Sequence, residues 1–150
     1  VIVEAQTIIR ASIEKVWAVL TDVANAAAFV RGIEKTEVVA EPPSGLVGLR
    51  WRETRILFGE PAVVEKWITD AEDGKSFSTR AESDGFVFIT VNRLSSSGDG
   101  VVLASSHETR PASFVARLKA LPLGLFKGTI RKAILQDLAD IKVTAERHSG

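Results

Sequence analysis

The sequence predicts an α+β fold: a curved, seven-stranded antiparallel sheet around one long C-terminal helix, with two short helices after the first strand. Three observations carry that expectation. From Leu123 onward, apolar residues recur at Leu123, Phe126, Ile130, Ala133, Ile134, Leu138, Ile141 and Ala145, a single helical stripe. Ahead of it, alternating apolar and polar runs are separated by closely spaced turn signals, as in an antiparallel meander. After the first of those runs, two short segments have helical spacing and N-cap residues. A helix with one apolar stripe needs a broad apolar surface to lie on, and the strands must supply it.

Residues 1–10 alternate as a strand, with Val3, Ala5, Thr7 and Ile9 on one face and Glu4, Gln6 and Arg10 on the other. Ser12 caps a helix carrying Ile13, Val16, Trp17 and Leu20, and Asp22 is placed to cap a second over 23–29, ending near Gly32. A second strand covers 35–41 and stops at Pro42-Pro43-Ser44-Gly45. The third, 48–59, is two-faced. Leu49, Trp51, Glu53, Arg55 and Leu57 share one side; Arg50, Arg52, Thr54, Ile56 and Phe58 share the other.

Gly59-Glu60-Pro61 turns into a fourth strand, 62–69, and Asp73-Gly74 into a fifth, 76–82. Asp84-Gly85 leads into the sixth, 86–94, and is the strongest hairpin signal in the chain. A loop, SSSGDG at 95–100, precedes the seventh strand, 101–110. Residues 111–147 are then mostly one helix, whose outer side carries Lys127, Arg131, Lys132, Gln136, Asp140, Lys142 and Glu146.

The totals narrow the function classes. A chain of 150 residues fits a single domain, 1–150, with a core of useful size. Lys plus Arg equals Asp plus Glu at 19 each, so no global field draws it to nucleic acid or membrane. With no cysteine and two histidines, His107 and His148, neither a disulfide scaffold nor a thiolate or histidine-built metal site is expected. No metal, no cofactor and no nucleic-acid partner are expected, since no phosphate-binding glycine loop occurs. No apolar run approaches the ~20 residues of a membrane helix, and no signal peptide is visible; a cytoplasmic protein is the expectation. The chain contains no methionine, so a start residue or short leader is expected to be missing from it.

Four stretches also resemble a known superfamily: "IIRASIEKVWAVLTDVANAAAFVRGI" (8–33), "VGLRWRETRILFGEP" (47–61), "VEKWITDAEDGKSF" (64–77) and "GTIRKAILQDLADIKVTAE" (128–146). The chain is similar to START/Bet v 1-like (SRPBCC) domains, in particular their bacterial polyketide cyclase/dehydrase-like branch. That resemblance implies a helix-grip fold and a mostly apolar pocket between sheet and C-terminal helix. It implies a small hydrophobic partner (a lipid, polyketide-like or aromatic compound) bound or transported there. Cyclase or dehydratase chemistry without a metal is the alternative. Tyrosine hydroxyls, useful in several cyclase-like pockets, are absent.

Strand phase then nominates residues. A two-residue turn at Asp84-Gly85 sets Ala81 opposite Phe88, Thr79 opposite Thr90 and Phe77 opposite Asn92. Arg80 and Glu82 take the other, solvent face. Phe77, Phe88, Thr90 and Asn92 are therefore candidate ligand contacts, with Thr90 and Asn92 as orienting polar groups. The plainer alternative is that these polar atoms only satisfy backbone or water. His107 lies in phase with Val101, Leu103, Ser105 and Thr109, and an inward imidazole is a candidate acid or base. A rim histidine with no catalytic part is the alternative.

Trp51, Glu53 and Arg55 share one face, as do Glu65 and Trp67 on the next strand, and Glu108 and Arg110 further on. One reading is a charged, aromatic-lined pocket in which Arg55 holds a carboxylate or enolate and Glu53 or Glu65 is the base. The other is a set of ion pairs on the convex face, each contributing at most ~1 kcal/mol. The family branch tends to show the same W-x-E-x-R pattern, but the face occupied by Glu53 and Arg55 is left open.

Six basic residues and no acidic ones lie between Arg110 and Gln136: Arg110, Arg117, Lys119, Lys127, Arg131 and Lys132. Phe114, Leu123, Phe126 and Ile130 among them are candidate pocket-mouth contacts, with the cations snorkelling to water. The alternative is a basic amphipathic surface, 112–127, touching an anionic membrane or a protein partner. Pro122, Gly124 and Gly128 suggest a hinge there, with space for a ligand against the helix. A monomer and a homodimer are both compatible with the sequence.

Overall fold

The computed structural model describes residues 1–57, 59–119 and 121–147, with the side chains of Leu57, Lys119, Leu121, Pro122 and Leu123 outside that description. Its strands are β1 (Ile2–Ile9), β2 (Ile33–Ala40), β3 (Arg50–Leu57), β4 (Glu60–Glu72), β5 (Ser76–Ser83), β6 (Phe86–Ser97) and β7 (Gly100–Pro111). They form one antiparallel sheet in the order β1-β7-β6-β5-β4-β3-β2. Thus β2 to β7 pair in chain order and β1 closes beside β7. The chain crosses from β1 to β2 through α1 (Ile13–Leu20), a 3-10 turn (Val23–Asn25) and α2 (Ala26–Phe29).

Local chemistry accounts for the element ends. Asp84 and Gly85 both have positive φ, 51° and 79°, the turn that matches strand twist in a two-residue hairpin. It pairs Ala81 with Phe88, Thr79 with Thr90 and Phe77 with Asn92, the register that strand phase implied. The expected loop at 95–100 is shorter than anticipated. Ser97 pairs with Gly100, because β7 offers a partner to each backbone group of the serine run. The Ser12 hydroxyl accepts the Lys15 N–H over 3.2 Å and caps α1. Asp22 makes no cap bond. Its carboxylate accepts from the Asn25 amide over 3.0 and 3.1 Å, and the 23–29 segment divides into the 3-10 turn and α2.

The stretch expected as mostly one helix is three pieces: α3 (Phe114–Lys119), a 3-10 segment (Leu121–Phe126) and α4 (Lys127–Arg147). Pro122 has no N–H to donate to the preceding turn, so a continuous helix is interrupted there. Within α4, Ile134, Leu138 and Ala145 are buried against Val3, Ile9, Val16, Leu94, Val101 and Leu103. Ala133 and Phe126 point to solvent, the latter because the break resets the helical phase. Asp140, expected on the solvated side of the helix, is instead 8% exposed. It accepts the Arg31 backbone N–H over 2.9 Å and the Arg31 Nε over 3.1 Å, fastening the segment after α2 to α4. Gly124 and Gly128 are exposed with open space around them, so they do not set a ligand against the helix.

Candidate functional site

Two-residue periodicity on β3 sends Trp51, Glu53 and Arg55 toward α4, which answers which face they occupy. The register places Lys66 of β4 opposite Trp51, on the same inner face. Glu53, 6% exposed, is the hub of a buried network. Its Oε2 accepts from Arg55 Nε over 2.7 Å and from Lys66 Nζ over 2.9 Å, and its Oε1 accepts from Trp51 Nε1 over 3.4 Å. Arg55 then reaches across the seam to Asp137 of α4, donating over 2.8 Å to Oδ2 and 3.3 Å to Oδ1. Gly32 backs this pair so closely that a Cβ there would sit 2.8 Å from Arg55 Nη1 and 3.2 Å from Asp137 Oδ1.

Burial alone would raise the Glu53 carboxyl, but the cations of Lys66 and Arg55 outweigh it and hold the group at about 2. Burial disfavours the Arg55 charge as well; Glu53 and Asp137 more than compensate and push its pKa up. Glu53 is therefore an ionised structural acceptor and a very weak base.

His107 of β7 also faces inward, between Thr90 and Ser105. Its Nε2 lies 2.8 Å from Ser105 Oγ and its Nδ1 lies 3.4 Å from Thr90 Oγ1. Burial, then the nearby Lys66 and Arg55 cations, drive it down to about 4 against the opposing pull of Glu53. At neutral pH the ring is uncharged, with one donor and one acceptor nitrogen.

These groups form the polar wall of a cavity of about 140 Å³ between sheet and α4. Trp51, Glu53, Arg55, Lys66, Phe77, Thr79, Thr90, Asn92, Ser105 and His107 come from the sheet. Val19, Leu20, Val23, Ala26, Phe29, Val30 and Ile33 close one side, and Ile134, Asp137, Leu138 and Ile141 of α4 the other. An apolar cavity of roughly 150 Å³ holds a benzene ring, so the space suits one small ring or a short apolar arm.

The remaining candidates lie elsewhere. Glu65 and Trp67 alternate to the outer face, where Glu65 accepts from Arg50 over 2.8 Å and the Arg50 guanidinium stacks 4.3 Å from the Trp67 ring. The register pairs Arg55 with Ala62 and Arg52 with Glu65, so Glu65 cannot meet Arg55. Glu108 and Arg110 form an exposed pair at 2.7 Å. Phe88 is half-buried beside Phe86, with ring centroids 6.3 Å apart, and does not line the cavity. Phe114 and Phe126 are exposed, and Ile130 packs on the core cluster; none reaches the cavity, because the break near Pro122 carries this stretch away from it. The side chains of Leu123 and His148 lie outside the described residues.

Lys66, Asp137, Thr79 and the residues of α1 and α2 were not among the candidates read from sequence. Asp137 had a signal: it sits between Ile134 and Ile141 at stripe spacing, where a charge needs a buried partner. Lys66 had one only once the β3–β4 register was known. Among the described residues, no group of three or more His, Asp or Glu converges as metal ligands.

A curved antiparallel sheet gripping a C-terminal helix across a small, mixed cavity defines a START/Bet v 1-like domain. The particular family follows from comparison with known sequences. The chain belongs to the "Polyketide cyclase / dehydrase and lipid transport" family, whose model matches residues 1–146. No curated protein sequence matches it.

Solved structures agree on the fold. The protein TTHA0849 from Thermus thermophilus superposes with a TM-score of 0.81 at 16% identity, with 100% of both chains covered. The di-domain aromatase/cyclase StfQ of the steffimycin biosynthetic pathway gives 0.81 at 12% identity, over 100% of this chain and 52% of that one. The ZhuI aromatase/cyclase from Streptomyces sp. R1128 gives 0.75 at 20% identity, over 99% and 94%.

Proposed function

We propose that the protein binds and carries a small apolar or aromatic molecule bearing a carbonyl or hydroxyl oxygen, with the ring in the cavity beside His107 and the oxygen at Lys66. One observation supports this reading above the rest: an apolar cavity of about 140 Å³ whose strongly polar side is the wall of Lys66, His107 and the Glu53 network. A purely hydrocarbon ligand would leave the remaining Lys66 protons facing it, which is costly. The Lys66 ammonium has three protons and spends one on Glu53, so it retains donors for a ligand oxygen.

Calorimetry with two probes of similar size tests the reading. Phenol is expected to bind more tightly than toluene, by up to about tenfold for one net hydrogen bond. Lys66→Met is expected to erase that difference. Equal affinity for both probes, or no heat with either, overturns it.

A cyclase or dehydratase is the second reading, favoured by the cations of Lys66 and Arg55, which would stabilise an enolate oxygen at the cavity wall. Against it, Glu53 at about 2 and His107 at about 4 are both poor proton acceptors at neutral pH. Turnover of a poly-β-keto thioester that disappears in His107→Gln, with phenol binding intact, would decide for the enzyme.

A further inference from the structure

Away from the cavity, α3 buries Ala116 and leaves Phe114, Val115 and Leu118 in solvent, Phe114 at 74% exposure. The 3-10 segment adds Leu125, 85% exposed, and Phe126. The segment adjoins both α3 and α4, so the three elements that carry these exposed side chains are neighbours. Apolar clusters of this kind mark a surface that something covers.

The same stretch is basic, with no acidic residue between Arg110 and Gln136. Arg117, Lys127 and Lys132 are exposed and pair with no carboxylate among the described residues. Among the described residues, Arg131 donates to the backbone carbonyl of Glu4 and meets no carboxylate. Lys127, Arg131 and Lys132 stand in the first two turns of α4, where cations oppose the helix dipole. Helix stability does not explain their presence.

Charge chooses among the occupants. A second copy meeting this face symmetrically would set the cations against their own images, which repel. A nucleic acid would use the cations and the two phenylalanine rings but gains nothing from exposed Val115, Leu118 and Leu125. An anionic bilayer uses both sets: the apolar side chains enter the acyl boundary and the cations meet lipid phosphates. We propose that Phe114, Val115, Leu118, Leu125 and Phe126, with the cations in the first turns of α4, dock the protein on an anionic lipid surface.

Flotation of the full chain with vesicles tests this. Binding is expected to vesicles of phosphatidylcholine and phosphatidylglycerol in equal amounts, and not to phosphatidylcholine alone, with loss as salt rises. Lys127→Glu with Lys132→Glu should weaken partition by roughly 30-fold or more. Phe114→Ser with Leu125→Ser should abolish it. All four side chains are exposed, so folding should survive; unchanged thermal melting and phenol response would check that. The proposal is overturned by equal binding to neutral vesicles, by no binding, or by indifference to both double variants. It is overturned equally if Phe114→Ser with Leu125→Ser instead dissolves a dimer, or if single-stranded RNA competes the protein off the vesicles. None of these outcomes bears on the cavity, which uses none of these residues.

Discussion

Arg55 of β3 and Asp137 of α4 meet through two hydrogen bonds, of 2.8 and 3.3 Å, beside the cavity that both line. This is a charged tie between β3 and the helix, and it lies where Gly32 leaves room for it. Asp137→Asn is expected to lower unfolding free energy by roughly 1–2 kcal/mol, since a charged partner is lost in a half-buried pair. Gly32→Ala should cost a similar amount by displacing the guanidinium. Chemical denaturation of both variants, and of the double variant, checks the common origin: the two effects should not add.

Glu53 holds two cations and an indole, so its loss is expected to be more severe. Glu53→Gln keeps the shape yet leaves Lys66 and Arg55 without their shared counter-charge, a cost of about 3–5 kcal/mol. Lys66→Met with Glu53→Gln should recover part of that. Equilibrium unfolding of the single and double variants measures the recovery; a double variant as unstable as the sum would mean the pair is not coupled.

Acid should destabilise the protein in two windows. His107 falls from 6.5 to about 4 on folding, so the unfolded chain takes up its proton first. That stability is fully present above about 6.5 and is lost as pH drops toward 4, by up to about 3 kcal/mol. Glu53 falls from 4.5 to about 2, so its contribution is present above 4.5 and lost between there and 2. Unfolding free energy measured against pH should therefore lose its upper slope in His107→Gln while keeping the lower one.

The cavity walls supply a steric test. Ile141→Trp adds bulk at a half-buried wall position and should cost about 1–3 kcal/mol by overpacking. The same variant should no longer be stabilised by phenol in a thermal melt, whereas Trp67→Phe on the outer face should respond like the parent.

The fold is largely legible in the sequence, because turns and alternation are local. Asp84-Gly85 sets its hairpin register, and Ser12 sets the start of α1. The site is legible in part. Phase groups Trp51 with Glu53 and Arg55 but says nothing of which face looks inward, since Glu65 and Trp67 carry the same alternation and point outward. Facing is a tertiary property, fixed here by Asp137 on a helix 82 residues away in sequence. A continuous helix over 112–127 would bring its apolar residues to the pocket mouth. The interruption at Pro122 sends them to solvent instead.

The cavity claim rests most directly on the tryptophans, which sample both faces of the sheet. Trp51 lines the cavity and Trp67 lies under Arg50 on the outside. In a heteronuclear NMR titration with phenol, the Trp51 indole N–H and the His107 ring should shift and saturate together, while the Trp67 indole stays still. Shifts confined to Trp67, or to the convex groove between Gln6, Val91 and Arg93, with Trp51 unmoved, would place the ligand outside the cavity and contradict the account.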